Sequence, residues 1–543
     1  ITLLACLPLF SNYLYFGHDL EFHMQRIAAM AAELSYGQFP VRLTTTTLNG
    51  YGYASPLCYC ELFLLLPALL YNLWLPLRTC YQVYLFAVTL ATCLIAYFSF
   101  AKITASRRLG LLGALLYTLS CYRLVCVYTR AAAGEFTAMA FFPLVLAGLY
   151  GIYTRDKPRF ADWLPMSLGM AAMVQSHLLS CELTALLLIL FCLLRLRETL
   201  RPARLLAWVK AALLAVGLSA WYLVPFFLST SSIPFMVNGP LIGKIQFQGL
   251  YLIQLFNPFY NGFAGADAGT NPDMMLSLGL PLILGLGLVV SCLLRRRDAQ
   301  GQAASILTTA AGFFALTVFL ALHIFPWDYV QTTLGRTAGK LAGLFQYPWR
   351  FLSLATVLLC LAVVMSVKLL TARDRRLGLT ATVVLAAAGA MQGQMLNGQR
   401  EVSYNVFSYE NPTSCIGVGE YLIDGTSSYE TIWAQPKPGS DDLHLVSYEK
   451  KQGVAYVSVQ NDGGEGLWEF AEDGTELYIF PDVLDENGQP FTITSGENER
   501  IVLTIPANYT GTVRVWYQAP GFWRVFEVIS ALSLLGTVGY SVF

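Results

Sequence analysis

The sequence predicts a polytopic α-helical membrane protein that carries an all-β domain, sandwich or jelly-roll in type, before its last span. Three observations predict it. Of the 543 residues 56% are hydrophobic and only 13% charged, a balance too apolar for a soluble globular chain. The charges fall between long uncharged runs such as Leu276–Leu294 and Phe351–Val367, each close to the roughly 20 apolar residues that a bilayer core requires. Residues 396–520 break this pattern, with 19 acidic against six basic residues and several stretches of apolar/polar alternation.

The loop charges set the expected topology. Basic clusters at Lys102–Arg108, Arg155–Arg159, Arg195–Arg204, Arg295–Arg297 and Lys368–Arg376 face the cytoplasm under the positive-inside rule. The segments 123–135, 177–182, 229–273, 323–348 and 396–520 then fall outside. About twelve spans follow, near 1–16, 79–101, 109–127, 133–153, 161–178, 181–196, 205–228, 274–294, 303–323, 349–369, 378–395 and 522–543. Parity requires that only one of the two apolar stretches 57–76 and 79–101 crosses. Pro56, Pro67, Pro76 and Glu61 interrupt the first, which is expected to lie at the outer interface. The domains are therefore 1–395, a transmembrane domain whose first outer loop covers 17–78; 396–520, an extracytoplasmic β-sandwich; and 521–543, a final transmembrane helix.

Strands are expected at Val454–Val459, Leu477–Phe480, Phe491–Thr494, Ile501–Ile505 and Thr512–Tyr517, where β-branched and aromatic residues gather. Turns at Asn461–Gly464, Asp473-Gly474 and Glu486–Gly488 punctuate them. Most of the twelve cysteines, Cys93, Cys192, Cys292 and Cys360 among them, lie in apolar runs as small hydrophobes, and Cys415 alone falls in the β region, so no disulfide framework is expected. Cys58 and Cys60 are too close for a metal knuckle and read as packing residues. The formal net charge is zero, and nothing points to nucleic acid. The chain opens at Ile1 inside an apolar run, so residues preceding it are expected and no signal peptide can be judged.

Ionisable groups beside membrane spans are costly, which directs attention to four places. The first is Gly17–Arg26. If this stretch is helical, Asp19, His23 and Arg26 share a face, as a base or cation site or as a solvated amphipathic helix with self-paired charges. His18 and Glu21 stand among them. The second is Tyr128-Thr129-Arg130 with Glu135, which either caps the N-terminus of its span or faces a cavity. The third is His177 with Gln175 and Ser176, either a hydrogen-bonded helix-end histidine or a site residue. The fourth is Tyr347-Pro348-Trp349-Arg350. Its aromatics suit the interfacial belt, and its guanidinium suits a lipid phosphate, with Arg336 and Lys340 in the same loop. All four fall on the outer side. Together they could equip sugar transfer from a lipid phosphate, with one carboxylate deprotonating an acceptor hydroxyl and cations receiving the departing phosphate.

The stretch GHDLEFHMQRIAAMAAELSYGQFPVRL (17–43), followed by Tyr51-Gly52-Tyr53, resembles the start of bacterial YfhO-like and "6-pyruvoyl-tetrahydropterin synthase-related" membrane proteins of the GT-C glycosyltransferase superfamily. Tyr128-Thr129-Arg130, Gly134-Glu135, His177, Trp221–Pro225 and Tyr347–Arg350 resemble that family's later landmarks, in order, over roughly 17–370. The resemblance implies an inverting transfer at the outer face of the bacterial cytoplasmic membrane. Its donor would be a polyprenyl-phosphate sugar and its acceptor a cell-envelope glycan, lipid or polymer. It places the catalytic carboxylate at Asp19 and a second acid at Glu135, with Glu21 in support. His18, His23, Arg26, Arg130, His177, Arg350, Trp349 and Tyr128 become substrate- or phosphate-binding candidates. A divalent cation at Asp19 and Glu135 is an open expectation, although no paired acidic motif occupies the second loop. No WWDYG motif is present, which speaks against transfer to asparagine. Two other readings stand beside this one: a flippase or transporter of lipid-linked sugars, and a platform presenting a glycan-binding β domain.

Overall fold

The computed structural model describes residues 1–542 except 49, 240–242, 258–273, 296–300, 334–338, 340–341, 344, 371–382, 385, 394–400, 403–415, 418, 427–436, 439–440, 470–479 and 497–498. It is mostly helical, with a separate β region, and divides into two compact units. The first comprises Ile1–Leu20, Tyr81–Gly217 and Pro240–Tyr404; the second comprises Glu21–Cys80, Leu218–Gly239 and Asn405–Phe543.

Five described helices are long and apolar enough to cross a membrane: Leu77–Thr104, Ala133–Thr154, Pro202–Ser232, Gln302–Ala321 and Pro348–Leu370. The pair Arg107–Thr118 and Cys121–Thr129, bent by 49°, makes a sixth if counted as one span. Phe160–Val174, Leu178–Leu194 and Gly279–Arg295 are apolar but shorter, and Trp523–Val542 is helical near the chain end. The expected span 378–395 falls in part outside the described residues, which show helix at 383–384 and 386–393. Cys415, Arg336, Lys340, the Asp473-Gly474 turn and most of Leu477–Phe480 also lie outside them.

The expected span at 1–16 is not one helix. A helix over Thr2–Ala5 gives way to a 3-10 turn at Leu7–Phe10 and a short strand, β1 (Leu14–Tyr15). Pro8 has no N–H to continue the ladder, and the Ser11 hydroxyl bonds the carbonyls of Pro8 and Tyr13, both at 2.9 Å. β1 pairs antiparallel with β2 (Glu401–Val402) instead. Residues 55–72 form only the short helices Ser55–Cys58 and Leu65–Asn72 around a 3-10 turn at Leu62–Leu64.

Within the first unit, small residues let helices approach closely. A Cβ on Gly151 would lie 2.3 Å from the Asp162 carbonyl oxygen, and one on Gly148 would lie 2.4 Å from the Met166 nitrogen. This packs Phe142–Thr154 directly against Phe160–Val174.

In the second unit the β region holds two four-stranded antiparallel sheets. They use β3 (Lys437–Pro438), β4 (Leu443–Lys451), β5 (Val454–Asn461), β6 (Gly466–Glu469), β7 (Pro481–Asp485), β8 (Thr492–Ser495), β9 (Ile501–Ile505) and β10 (Thr510–Tyr517). One sheet runs β4-β5-β10-β7, the other β3-β6-β9-β8. Alternation decides which face is buried: Ala455, Val457, Val459, Val513 and Val515 of the first sheet share one apolar cluster with Trp468, Ile501, Leu503 and Ile505 of the second. Lys450 on β4 donates to the carbonyls of Thr45 (2.8 Å) and Gly50 (2.9 Å), tying the β region to the loop after the helix Leu20–Ser35.

Candidate functional site

The first unit assembles a charged site from four separated stretches of chain. The stretch before Leu20 lies against residues 129–131: the His18 amide donates to the Thr129 carbonyl (3.2 Å) and the Asp19 amide to that of Arg130 (2.9 Å). Gly17 permits this approach, because a Cβ there would lie 2.5 Å from that of Ala131. The opposing stretch is itself irregular. Val125–Thr129 is a π-helical turn, and the Arg130 amide reaches back to the Val125 carbonyl at 2.8 Å, a widened turn of the sort often found at functional sites.

Glu135, in the first turn of the helix beginning at Ala133, is 1% exposed, and donors occupy both its oxygens. Arg130 Nη1 donates to Oε2 at 2.6 Å, and the Tyr122 hydroxyl donates to Oε1 at 2.6 Å. The Arg130 guanidinium stacks 4.4 Å over Trp349. Arg350 Nε lies 3.8 Å from Glu135 Oε2, while its Nη1 is held by Gln346 Oε1 at 2.8 Å. Arg350 Nε is buried without a hydrogen-bond partner. His177 caps the helix Leu178–Leu194, with Nδ1 accepting from the Ser180 amide at 3.3 Å, and lies within electrostatic reach of Arg350, Glu135 and Arg130.

Asp19 differs from Glu135. It is half-buried, and among the described residues no donor bonds its carboxylate. Burial raises its carboxyl above the ordinary aspartate range, against the opposing pull of Arg130, Arg350 and His18. An unpartnered carboxylate of raised basicity beside two guanidinium groups can take a proton from a neutral hydroxyl. Sequence reasoning missed Tyr122, which clamps Glu135, and Tyr81, whose buried hydroxyl has no hydrogen-bond partner and which lies within electrostatic reach of Asp19. Tyr81 falls on the first turns of the helix Leu77–Thr104, where a tyrosine reads as an interfacial anchor.

Several expectations are corrected. The helix over Leu20–Ser35 begins after Asp19, so Asp19 does not share a helical face with His23 and Arg26. Arg26 belongs to the second unit and is 3% exposed. It donates to Glu61 Oε1 at 2.7 Å and to the Tyr59 carbonyl at 3.3 Å, lies 3.2 Å from His23 Nδ1, and stacks 4.1 Å over Tyr59. Its guanidinium is thus held by a carboxylate, a carbonyl and two rings of the second unit. His23 is buried against it, and Glu21 stands half-buried in the helix's first turn. Tyr128 bonds the Ala5 carbonyl at 2.5 Å and so holds the chain's first turn. Arg130 is paired with Glu135. Both Glu135 oxygens accept hydrogen bonds, from Arg130 and Tyr122. Among the described residues no group of three His, Cys, Asp or Glu could hold a metal ion.

No protein-family model matches the chain, and no curated protein matches it. Among solved structures it is similar to the single-particle cryo-EM structure of the arabinofuranosyltransferase AftD from Mycobacteria, at 15% identity and a TM-score of 0.41, over 75% of this chain and 27% of that one. It is similar also to a mutant of the same enzyme, at 16% identity and a TM-score of 0.40, over 72% of this chain and 27% of that one. The chain thus spans little more than a quarter of the length of the structures it matches.

Proposed function

We propose that this chain is a multi-pass membrane glycosyltransferase of the GT-C type, with Asp19 as its base. It would move a sugar from a polyprenyl-phosphate donor to an extracytoplasmic acceptor in the cell envelope, with inversion. The observation that carries the reading is the contrast between the two acids of the first unit: both Glu135 oxygens accept hydrogen bonds, from Arg130 and Tyr122, whereas among the described residues no donor bonds the Asp19 carboxylate, which feels the same cations. In the step proposed, Asp19 takes the acceptor hydroxyl's proton as its oxygen bonds the anomeric carbon. The carbon–oxygen bond to phosphate breaks, its electron pair leaves with the lipid phosphate, and Arg350, whose Nε has no hydrogen-bond partner, receives that charge. Trp349 and Tyr347 stack at 4.8 Å and fix the Arg350 end of the site. The β region is assigned to recognition of the acceptor, because the carboxylates of the first unit carry the proposed chemistry.

The test is transfer from radiolabelled polyprenyl-phosphate sugars in membrane vesicles. Asp19→Asn is expected to lower the rate by about 10²–10⁴-fold, the usual worth of a general base. Full transfer by that variant would sink the assignment. Label crossing the bilayer intact, with no bond broken by the native chain, would make this a flippase.

A further inference from the structure

Away from the charged site, the first unit contains an apolar slot of about 240 Å³ between the helices Phe142–Thr154, Leu178–Leu194, Gln302–Ala321 and Phe351–Leu370. That far exceeds the roughly 10–15 Å³ one water needs, yet most of its wall is carbon, which holds water poorly. Apart from Thr184 and Thr309, its polar residues gather at one end. Tyr150, Tyr153, Thr154, Arg195, Gln302 and Ser305 all stand within about one turn of their helices' ends, on one side of the slot. Phe142 and Leu354 line the other end, and the Thr184 hydroxyl there is turned back on the Ser180 carbonyl at 2.7 Å.

The slot's length is informative. Phe142 to Thr154 rises about 18 Å at 1.5 Å per residue, and Thr184 to Arg195 about 16 Å. Both are close to half of the roughly 30 Å hydrocarbon core, the depth of one leaflet. The charge at its polar end is equally directed. The segments 155–159 and 195–204 carry seven basic against two acidic residues. They meet there, since Arg204 Nη2 donates to the Tyr153 carbonyl at 3.0 Å. Arg195 spends Nε and Nη2 on Glu198 Oε1, at 2.7 and 2.6 Å, and among the described residues its Nη1 has no partner.

We propose that this slot binds one acyl chain of an anionic phospholipid, whose headgroup phosphate sits at Arg195 on the basic end of the bundle. One leaflet's depth suits an ordinary acyl chain and is too short for a polyprenyl tail. The site is distinct from the one holding Asp19, and it rests only on the chain spanning a membrane. Its role is to seal the groove between four helices with a ligand chosen by charge.

The purified full chain, stripped and then equilibrated with equal dioleoyl-phosphatidylglycerol and dioleoyl-phosphatidylcholine, is washed and its retained lipid counted by mass spectrometry. The native chain is expected to keep about one phosphatidylglycerol, several-fold over phosphatidylcholine, as expected of a charge-assisted phosphate contact. Arg195→Gln should keep lipid but lose the preference. Thr309→Trp, which fills the slot, should lose the tightly held lipid, whereas Leu94→Trp on an exposed helix face (Leu94 is 47% exposed) should not. Equal retention of the two lipids by the native chain, undiminished retention in a monodisperse Thr309→Trp protein, or displacement of the lipid by polyprenyl phosphate would each overturn the proposal.

Discussion

Asp19 and Glu135 are both carboxylates near the same guanidinium groups, and their partners divide their work. Glu135 is a counter-ion: removing its charge leaves Arg130 buried and unpaired, a loss that costs about 3–5 kcal/mol when one member of a buried pair is deleted. Glu135→Gln is therefore expected to lower the thermal midpoint in detergent clearly, while Asp19→Asn leaves it near the native value. An equal drop for both would show that Asp19 also holds structure. The pH dependence follows from the same contrast. The proposed base must be ionised to act, and burial raises the Asp19 carboxyl, so transfer is expected to fall as pH drops through that raised value. The acid limb of the rate profile is expected to lie above the ordinary aspartate range, and a limb at or below that range would count against Asp19 as base.

At the scale of elements, the helix pair Phe142–Thr154 and Phe160–Val174 depends on Gly148 and Gly151. Both positions meet backbone atoms, which cannot swing aside as a flexible side chain can. Gly151→Val is expected to push the pair apart at a cost of about 1–3 kcal/mol, the usual range for overpacking, read as a lower thermal midpoint. Gly312→Val, which meets nothing within 4 Å, is the control and should be nearly silent. The β strands were more legible than the helices in one respect. Val454–Asn461 alternates in sequence, and its burial alternates in the structure, because the strand period is two and each side chain has one of two faces. Helix ends followed local chemistry that a hydropathy window averages away: Pro8 stopped the first apolar run after one turn.

Over the whole molecule, the sequence placed the membrane class and the outline of the candidate site, because charge beside an apolar run is costly and therefore stands out. Asp19, Arg130, Glu135, His177 and Arg350 were legible for that reason, and the first unit brings them together. Pairings were not legible. Arg26 finds Glu61 thirty-five residues away, and no periodicity encodes a partner at that distance. Tyr122 and Tyr81 carried no signal, since an aromatic near a span end has an ordinary explanation in the interfacial belt. Among the described residues five or six helices meet the length and hydropathy of a crossing, with shorter apolar helices beside them.

The two-residue ladder between β1 and β2 has a temporal meaning. Leu14 and Tyr15 immediately precede the loop that bears Asp19, and their partners, Val402 and Glu401, lie most of the chain further on. A ribosome delivers the first long before the second, so this clasp cannot close until the helices between them have been made. The ladder beside the Asp19 loop is thus a late event relative to the helices it brackets, closing only once both of its strands exist.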